Sequence, residues 1–198
     1  MGFCVFNSLA IAAMHAIKER KLERVAIVDI DVHHGNGTED IFSYEPSVLM
    51  VSYYQQYLYP FCGNEKERAN MVNVPVPPGT GGDVIRRVVT EKWLPALHRH
   101  KPEMIFISAG FDAHRDAQLG DMNLGEEDYA WITRQVLDVA DQPLRKADEV
   151  RFDRRAEGGG GHKLLDEAEE LADDQKAGDG KDRGKDRSFF STQWSVLA

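Results

Sequence analysis

RVAIVDIDVHHGNG, residues Arg24–Gly37, is the stretch whose reading decides the fold. Its first half, Val25 to Val28, is a short, uninterrupted apolar run rich in β-branched residues, the pattern of a strand buried on both faces of a parallel sheet. Its second half turns abruptly polar, with Asp29, Asp31, His33 and His34 followed by Gly35 and Gly37. A second stretch, MIFISAGFDAHRD (Met104–Asp116), repeats the design with Asp112, His114 and Asp116 after an apolar run. Ser47–Ser52 (SVLMVS) supplies another apolar strand. Between these lie segments with apolar residues at helical spacing: Val5–Arg20, Asp83–His100 with Pro95 as a kink or break, and Glu126–Asp141. Strands separated by helices predict βαβ units and an α/β fold with a parallel sheet.

The polar tips predict the chemistry. Ligands of open parallel sheets bind at the carboxyl ends of the strands, and both clusters lie there. In an extended segment residues i and i+2 share a face, which aligns Asp29, Asp31 and His33 and turns Ile30 and Val32 away. Asp31 and His33 then offer an oxygen and a nitrogen to a common point, and Asp112 adds an oxygen from the second strand. Three protein ligands with one position open to water is the arrangement of a catalytic zinc, although iron or cobalt accepts the same donors. The bland alternative is that such residues only cap a following helix, and Thr38-Glu39-Asp40 does read as a helix start. Two clusters on two separate strands, with Gly35, Gly37 and Gly110 permitting tight turns, favour the metal. His34 reads as a buried residue behind the ligands, and His15, His98 and His100 as helix-surface histidines.

Composition bounds the rest. The 198 residues are 42% hydrophobic, enough for a core, and 24 basic against 33 acidic residues give a net charge of -9. That surface disfavours direct nucleic-acid binding. No apolar run approaches the roughly 18 residues of a membrane span, and Cys4 and Cys62 are too few for a disulfide scaffold or a CxxC zinc site. A cytoplasmic protein is expected. The last 56 residues differ from the rest: 24 of them are charged, against 33 of the preceding 142. With the run Gly158–Gly161 and the mixed charges of Lys176–Arg187, residues 143–198 are expected to be a poorly ordered tail, save a short acidic helix over Leu164–Ala172.

Four motifs in succession, GFCVFNSLAIAA (Gly2–Ala13), DIDVHHGNGTEDIF (Asp29–Phe42), NVPVPPGTGG (Asn73–Gly82) and SAGFDAHRDAQLGDMNL (Ser108–Leu124), resemble the zinc-dependent histone deacetylase and acetylpolyamine amidohydrolase superfamily, in its class II-like branch. The resemblance continues through EEDYAWITRQVLDVAD and covers about residues 2–142. It implies an arginase/deacetylase-like three-layer sandwich, hydrolysis of an acetyl-lysine or acetylpolyamine, one zinc per chain and a structural potassium ion. It assigns Asp31, His33 and Asp112 to zinc and Asp29 and Ser52 to potassium, and it puts Gly110 and Leu119 in segments like the walls of an acyl-lysine tunnel. Tyr53-Tyr54 replaces a commoner Leu-His pair.

Two departures accompany it. The tandem histidines that serve the family as general base precede the first motif, where this chain starts at Met1. Glu157-Gly158-Gly159 occurs where a Glu-Gly-Gly-Tyr is usual but runs on to Gly160-Gly161-His162, leaving His162 as the candidate catalytic residue there. Both fit a partial deacetylase domain over 1–142, incomplete at its N-terminus and diverged after about Gln142. Weak turnover and exposed sheet edges open to homo-oligomer pairing are then expected. Rival readings are an arginase-like binuclear hydrolase, in which His114 and Asp116 of DAHRD hold a second metal, and a non-catalytic acyl-lysine-binding module.

Overall fold

The structure, a computed structural model, describes residues 5–63, 68–141 and the backbone of 193–197. The expected strands form where the apolar runs stand. Strand β1 (Val25–Asp29) is buried at all five positions, and so is β2 (Val48–Gln55) at all eight. With β3 (Met71–Val76) and β4 (Met104–Ala109) they make four parallel strands, and β5 (Gln193–Leu197) adds an antiparallel edge, giving the order β3-β2-β1-β4-β5.

Helices cover both faces. On one lie α1 (Ser8–Lys18) and α2 (Asn36–Phe42), whose Leu9, Ala10, Ala13 and Phe42 pack on Val25, Ile27, Met50 and Phe106. Asn7 caps α1 by accepting from the Ala10 N–H at 2.9 Å, and its own amide donates to Thr38 of α2 at 3.0 Å, joining the two helices. On the other face lie α3 (Gly82–Val88), α4 (Leu94–His100), the turn Val89–Trp93 that joins them, and α5 (Glu126–Ala140), which bring Ile85, Trp93, Leu97, Ile132 and Val136 onto Val28, Val51, Ile105 and Ile107. The three-layer sandwich is therefore present, with the alternation of β1 dividing its side chains between two cores.

Three elements depart from expectation. The helix over 83–100 is not broken at Pro95. Its turn Val89–Trp93 widens so that the Leu94 N–H reaches the Val89 carbonyl five residues back. A proline ring collides with the carbonyl four residues earlier, and a wide turn just before it removes that collision without ending the helix. Strand β3 was not expected, because Pro75 and half-buried Val72 and Val74 disguise it. Proline is tolerated here on the outermost parallel strand, where one set of ladder donors has no neighbour. Lastly, Gln193–Leu197 is an antiparallel strand inside the segment expected as a tail, so the sheet is mixed at that edge. The remainder of that segment, including the helix proposed for Leu164–Ala172 and His162, lies outside the described residues. No helix among those described is long and apolar enough to cross a membrane.

Trp93 anchors the larger core. It is fully buried, stacks on Tyr53 with ring centroids 5.7 Å apart and 3° between planes, and donates its indole N–H to the Ser52 carbonyl at 3.2 Å. Trp93→Ala is expected to destabilise the chain by about 3–5 kcal/mol, read as a shift of the urea midpoint at unchanged slope.

Candidate metal centre

The chain runs outward from β1 through β2 to β3, then returns to place β4 on the other side of β1. The crevice at the carboxyl ends of β1 and β4 is thus the point where strand order reverses, the usual ligand site of such sheets. Asp31 follows β1 and Asp112 follows β4, so the two carboxylates flank that crevice.

Backbone amides fix their orientation. The ladder continues for one residue past β1, with the Ile30 N–H on the Ser108 carbonyl at 3.0 Å. The next three amides are captured by side chains: Asp31 N–H by Asp29 Oδ1 (3.1 Å), Val32 N–H by Asp112 Oδ1 (2.9 Å) and His33 N–H by Asp31 Oδ1 (2.6 Å). The strand ends because carboxylates replace its neighbour's carbonyls. Asp112, with Oδ1 held, turns Oδ2 to within 2.9 Å of His33 Nδ1, and Asp31 Oδ1 lies 2.9 Å from the same nitrogen. One ligating atom from each of Asp31, His33 and Asp112 falls within 4.8 Å of the others. Asp112 is buried and the other two half-buried, so the group has a closed wall and a side open to solvent. Two oxygens and an imidazole nitrogen converging with one side open suit a zinc-like divalent cation.

Charge at the centre is shared through His33. Partial burial works against a charged ring, but the hydrogen bonds to Asp112 and Asp31, helped by their negative charge, outweigh it and raise His33 from 6.5 to about 9. His33 Nδ1 therefore stands between the two carboxylates, 2.9 Å from an oxygen of each.

Asp29 stands outside the group, behind Asp31, from whose N–H it accepts. Burial, and then the charge of Asp31, push its carboxyl well above the ordinary range. It faces α1 and α2 beneath Gly35, where a Cβ would stand 2.7 Å from Asp29 Oδ2 and 2.8 Å from Met50 Cε. Asn73, Ser52, Asp29 and Ser108 are in cross-strand register and form one polar row over four neighbouring strands. Ser52, buried beside Asp29, donates its hydroxyl to Asn73 Oδ1 at 2.8 Å.

Gly110 lies against Asp31, whose carboxylate occupies the space a Cβ would need. Leu119 is 43% exposed on the loop beyond Asp112. That loop is tied to the end of β2 by a reciprocal pair: the Asp121 N–H donates to Gln55 Oε1 at 2.7 Å, and Gln55 Nε2 donates to Asp121 Oδ2 at 3.3 Å. His114 and Asp116 lie outside the ligand group. His114 Nδ1 accepts from the Asp116 N–H at 3.2 Å, and its Nε2 faces Glu126 at 3.6 Å. Sequence reasoning missed the Gln55–Asp121 tie, for which nothing local gives a signal. It also missed Tyr129, whose buried phenol is held above its usual range by burial and by the charges of Asp112 and Asp31.

The histone deacetylase domain family profile matches residues 1–164. Histone deacetylase 14, chloroplastic, of Arabidopsis thaliana is 38% identical over 146 residues, 71% of this chain and 34% of that protein. A histone deacetylase-like amidohydrolase of Pseudomonas aeruginosa is 36% identical over 149 residues, 72% of this chain and 39% of that protein. Among solved structures, the HDA15 HD domain superposes with a TM-score of 0.65 at 35% identity, over 70% of this chain and 42% of that one. The chain thus spans well under half the length of these relatives.

Because His33 is raised in the folded, metal-free chain, its contribution to stability is complete below pH 6.5 and is lost as pH rises through about 9. In chelator-treated protein the melting temperature should fall between those values for the parent chain, whereas His33→Asn should show a flatter profile over the same window.

Proposed function

The chain belongs to the histone deacetylase domain family, and from that premise we propose that it is a metal-dependent amide hydrolase acting on an acetyl-lysine or acetylpolyamine. The observation that carries this reading is the convergence of Asp31, His33 and Asp112 at the reversal point of the sheet. In it, Asp31, Asp112 and His33 Nδ1 hold one zinc-like cation, and Asp29 and Ser52 supply oxygens to a structural potassium ion. Gly110 and Leu119 border the path of the acyl chain. When bound, the divalent cation supplies Lewis-acid polarisation of the amide carbonyl and of the attacking water.

The chain's own residues do the positioning. Val32 N–H and His33 N–H hold the two carboxylates in the rotamers that face the imidazole. Gly110 admits the Asp31 side chain where any larger residue would displace it. Buried Tyr129 and Tyr53 stand close enough to Asp112 and Asp31 to feel their charge and form the dry side of the group.

Amide hydrolysis also needs a group that takes a proton from water and returns it to the departing amine, typically worth about 10²–10⁴-fold in rate. Among the described residues, the two histidines next in sequence to the ligands are turned to other partners: His34 to Glu39 and Cys62, His114 to Asp116 and Glu126. This supports slow turnover by these residues alone. It also favours a second reading, an acyl-lysine-binding module that retains the cation without hydrolysis.

The test is a metal titration joined to a ligand and a substrate. The full chain should bind one zinc or cobalt ion per molecule, and Asp112→Asn should lose more affinity than the roughly 10–100-fold that outlying partners are worth. A hydroxamate should bind the loaded chain, with acetyl-lysine peptide hydrolysis well below that of a complete zinc amidohydrolase. Two manganese ions per chain would instead favour the binuclear rival, and no metal at all would remove the reading.

A further inference from the structure

We propose that Glu39, acting through His34, is a positioning residue for the metal ligand His33. The proposal rests on the metal-centre reading above, because the ligand it positions is His33. His34 is 4% exposed, and contacts from three separate elements surround its ring. Glu39, in the first turn of α2, places Oε2 2.8 Å from His34 Nε2. Cys62, in the loop after β2, places Sγ 3.5 Å from Nδ1. Tyr54 of β2 meets the ring edge-on with centroids 4.5 Å apart. A carboxylate only accepts, so Nε2 carries a proton towards Glu39, while Nδ1 faces the Cys62 thiol. With both nitrogens and one edge engaged, the ring cannot turn.

Glu39 is itself fixed from the opposite side. Its N–H donates to the Gly35 carbonyl at 3.0 Å, and Asn73 Nδ2 donates to Glu39 Oε2 at 3.0 Å. Asn73 is in turn held by Ser52. A line of hydrogen bonds therefore runs from the polar row of the sheet through Asn73 and Glu39 to His34, and from there the backbone enters His33. Gly35, on the other side of His34, is pressed against Asp29. The segment 31–35 is thus gripped by carboxylates on its amides and by Glu39 on its buried polar side chain, His34. His33 has a single backbone position from which to deliver Nδ1.

Both bonds to Glu39 fall on Oε2, and this makes the proposal sharp. Glutamine can present one carbonyl oxygen at that point and keep both, whereas alanine removes both and leaves His34 Nε2–H buried without an acceptor.

The experiment compares the full chain with Glu39→Ala, Glu39→Gln and Glu91→Ala, an exposed acid on the far helix, by two measurements. Hydrogen–deuterium exchange of peptides spanning residues 30–36 reports the grip with or without metal, and cobalt(II) titration followed by visible absorption reports its consequence. Glu39→Ala should speed exchange across 30–36 at least about tenfold and weaken cobalt binding about tenfold, the lower end for partners that orient a ligand. It should also alter the shape of the cobalt band. Glu39→Gln should recover most of both effects, and Glu91→Ala should match the parent. Should Glu39→Ala fail to fold, Glu39→Asp, one methylene shorter, is expected to loosen the same peptides. Parent-like cobalt binding by Glu39→Ala, unchanged exchange at 30–36, or a Gln variant as impaired as Ala would each overturn the proposal. Faster exchange in Glu39→Ala while the parent takes up no cobalt would uphold the grip of Glu39 on this segment and remove the metal reading instead.

Discussion

Two carboxylates share one imidazole nitrogen at the tips of neighbouring strands, and a third carboxylate lies just behind them. Bringing Asp29, Asp31 and Asp112 so close is costly unless their charge is offset, since burial and mutual repulsion both disfavour the ionised forms. Three answers are built in. Backbone amides of residues 31–33 donate to all three side chains. The His33 ring supplies positive charge between two of them. The third, Asp29, is driven towards its neutral form by burial. Much of the surrounding structure serves these answers: the early end of β1, the absence of a side chain at Gly35 and Gly110, and the coincidence of β1 and β4 at the reversal of strand order.

Much of this was legible in the sequence because its cause is local. Apolar runs bounded by sudden polarity marked β1, β2 and β4, and the two polar tips marked the site. The pairing of residue 31 with 33 followed from strand alternation, although the structure reaches it by another route: β1 ends at Asp29, and the side chains fold back onto their own amides. That route also sets Asp29 behind the group, as the acceptor for the Asp31 N–H. What was not legible depends on distant packing. β3 carries Pro75 and a mixed face that an outer strand tolerates and an inner one would not. The wide turn before Pro95 is a tertiary compromise, since Trp93 and Leu97 must both reach the sheet. Glu39 read as a helix start, which it is, but its contact with His34 needs the first turn of α2 and the position of β3 together.

The family relationship and the geometry support one another without being the same argument. An α/β sandwich with helices on both faces hosts many chemistries, and the fold alone would say little about this one. What narrows the reading is the donor set at one rim, with one buried and two half-buried members. The histidines beside it are equally informative by where they turn: His34 is engaged by the Glu39 carboxylate and His114 Nδ1 by the Asp116 N–H, each on its own loop beside the candidate ligands. In this part of the molecule three imidazoles are used in two ways, His33 between the Asp31 and Asp112 carboxylates and His34 and His114 turned away from them.

The polar row Asn73–Ser52–Asp29–Ser108 crosses the sheet at one level and acts as a seam. On one side of it are the methyl-filled layers beneath α1 and α2; on the other are the rim segments that bring Asp31, His33 and Asp112 together. Beyond it the strands do not stop packing: Ile30, Val32 and Tyr53 still fill the larger core while Asp31 and His33 turn to the rim. Neighbouring positions thus alternate between filling the interior and presenting polar atoms, so a substitution at the rim is transmitted to the interior through the same few residues of backbone.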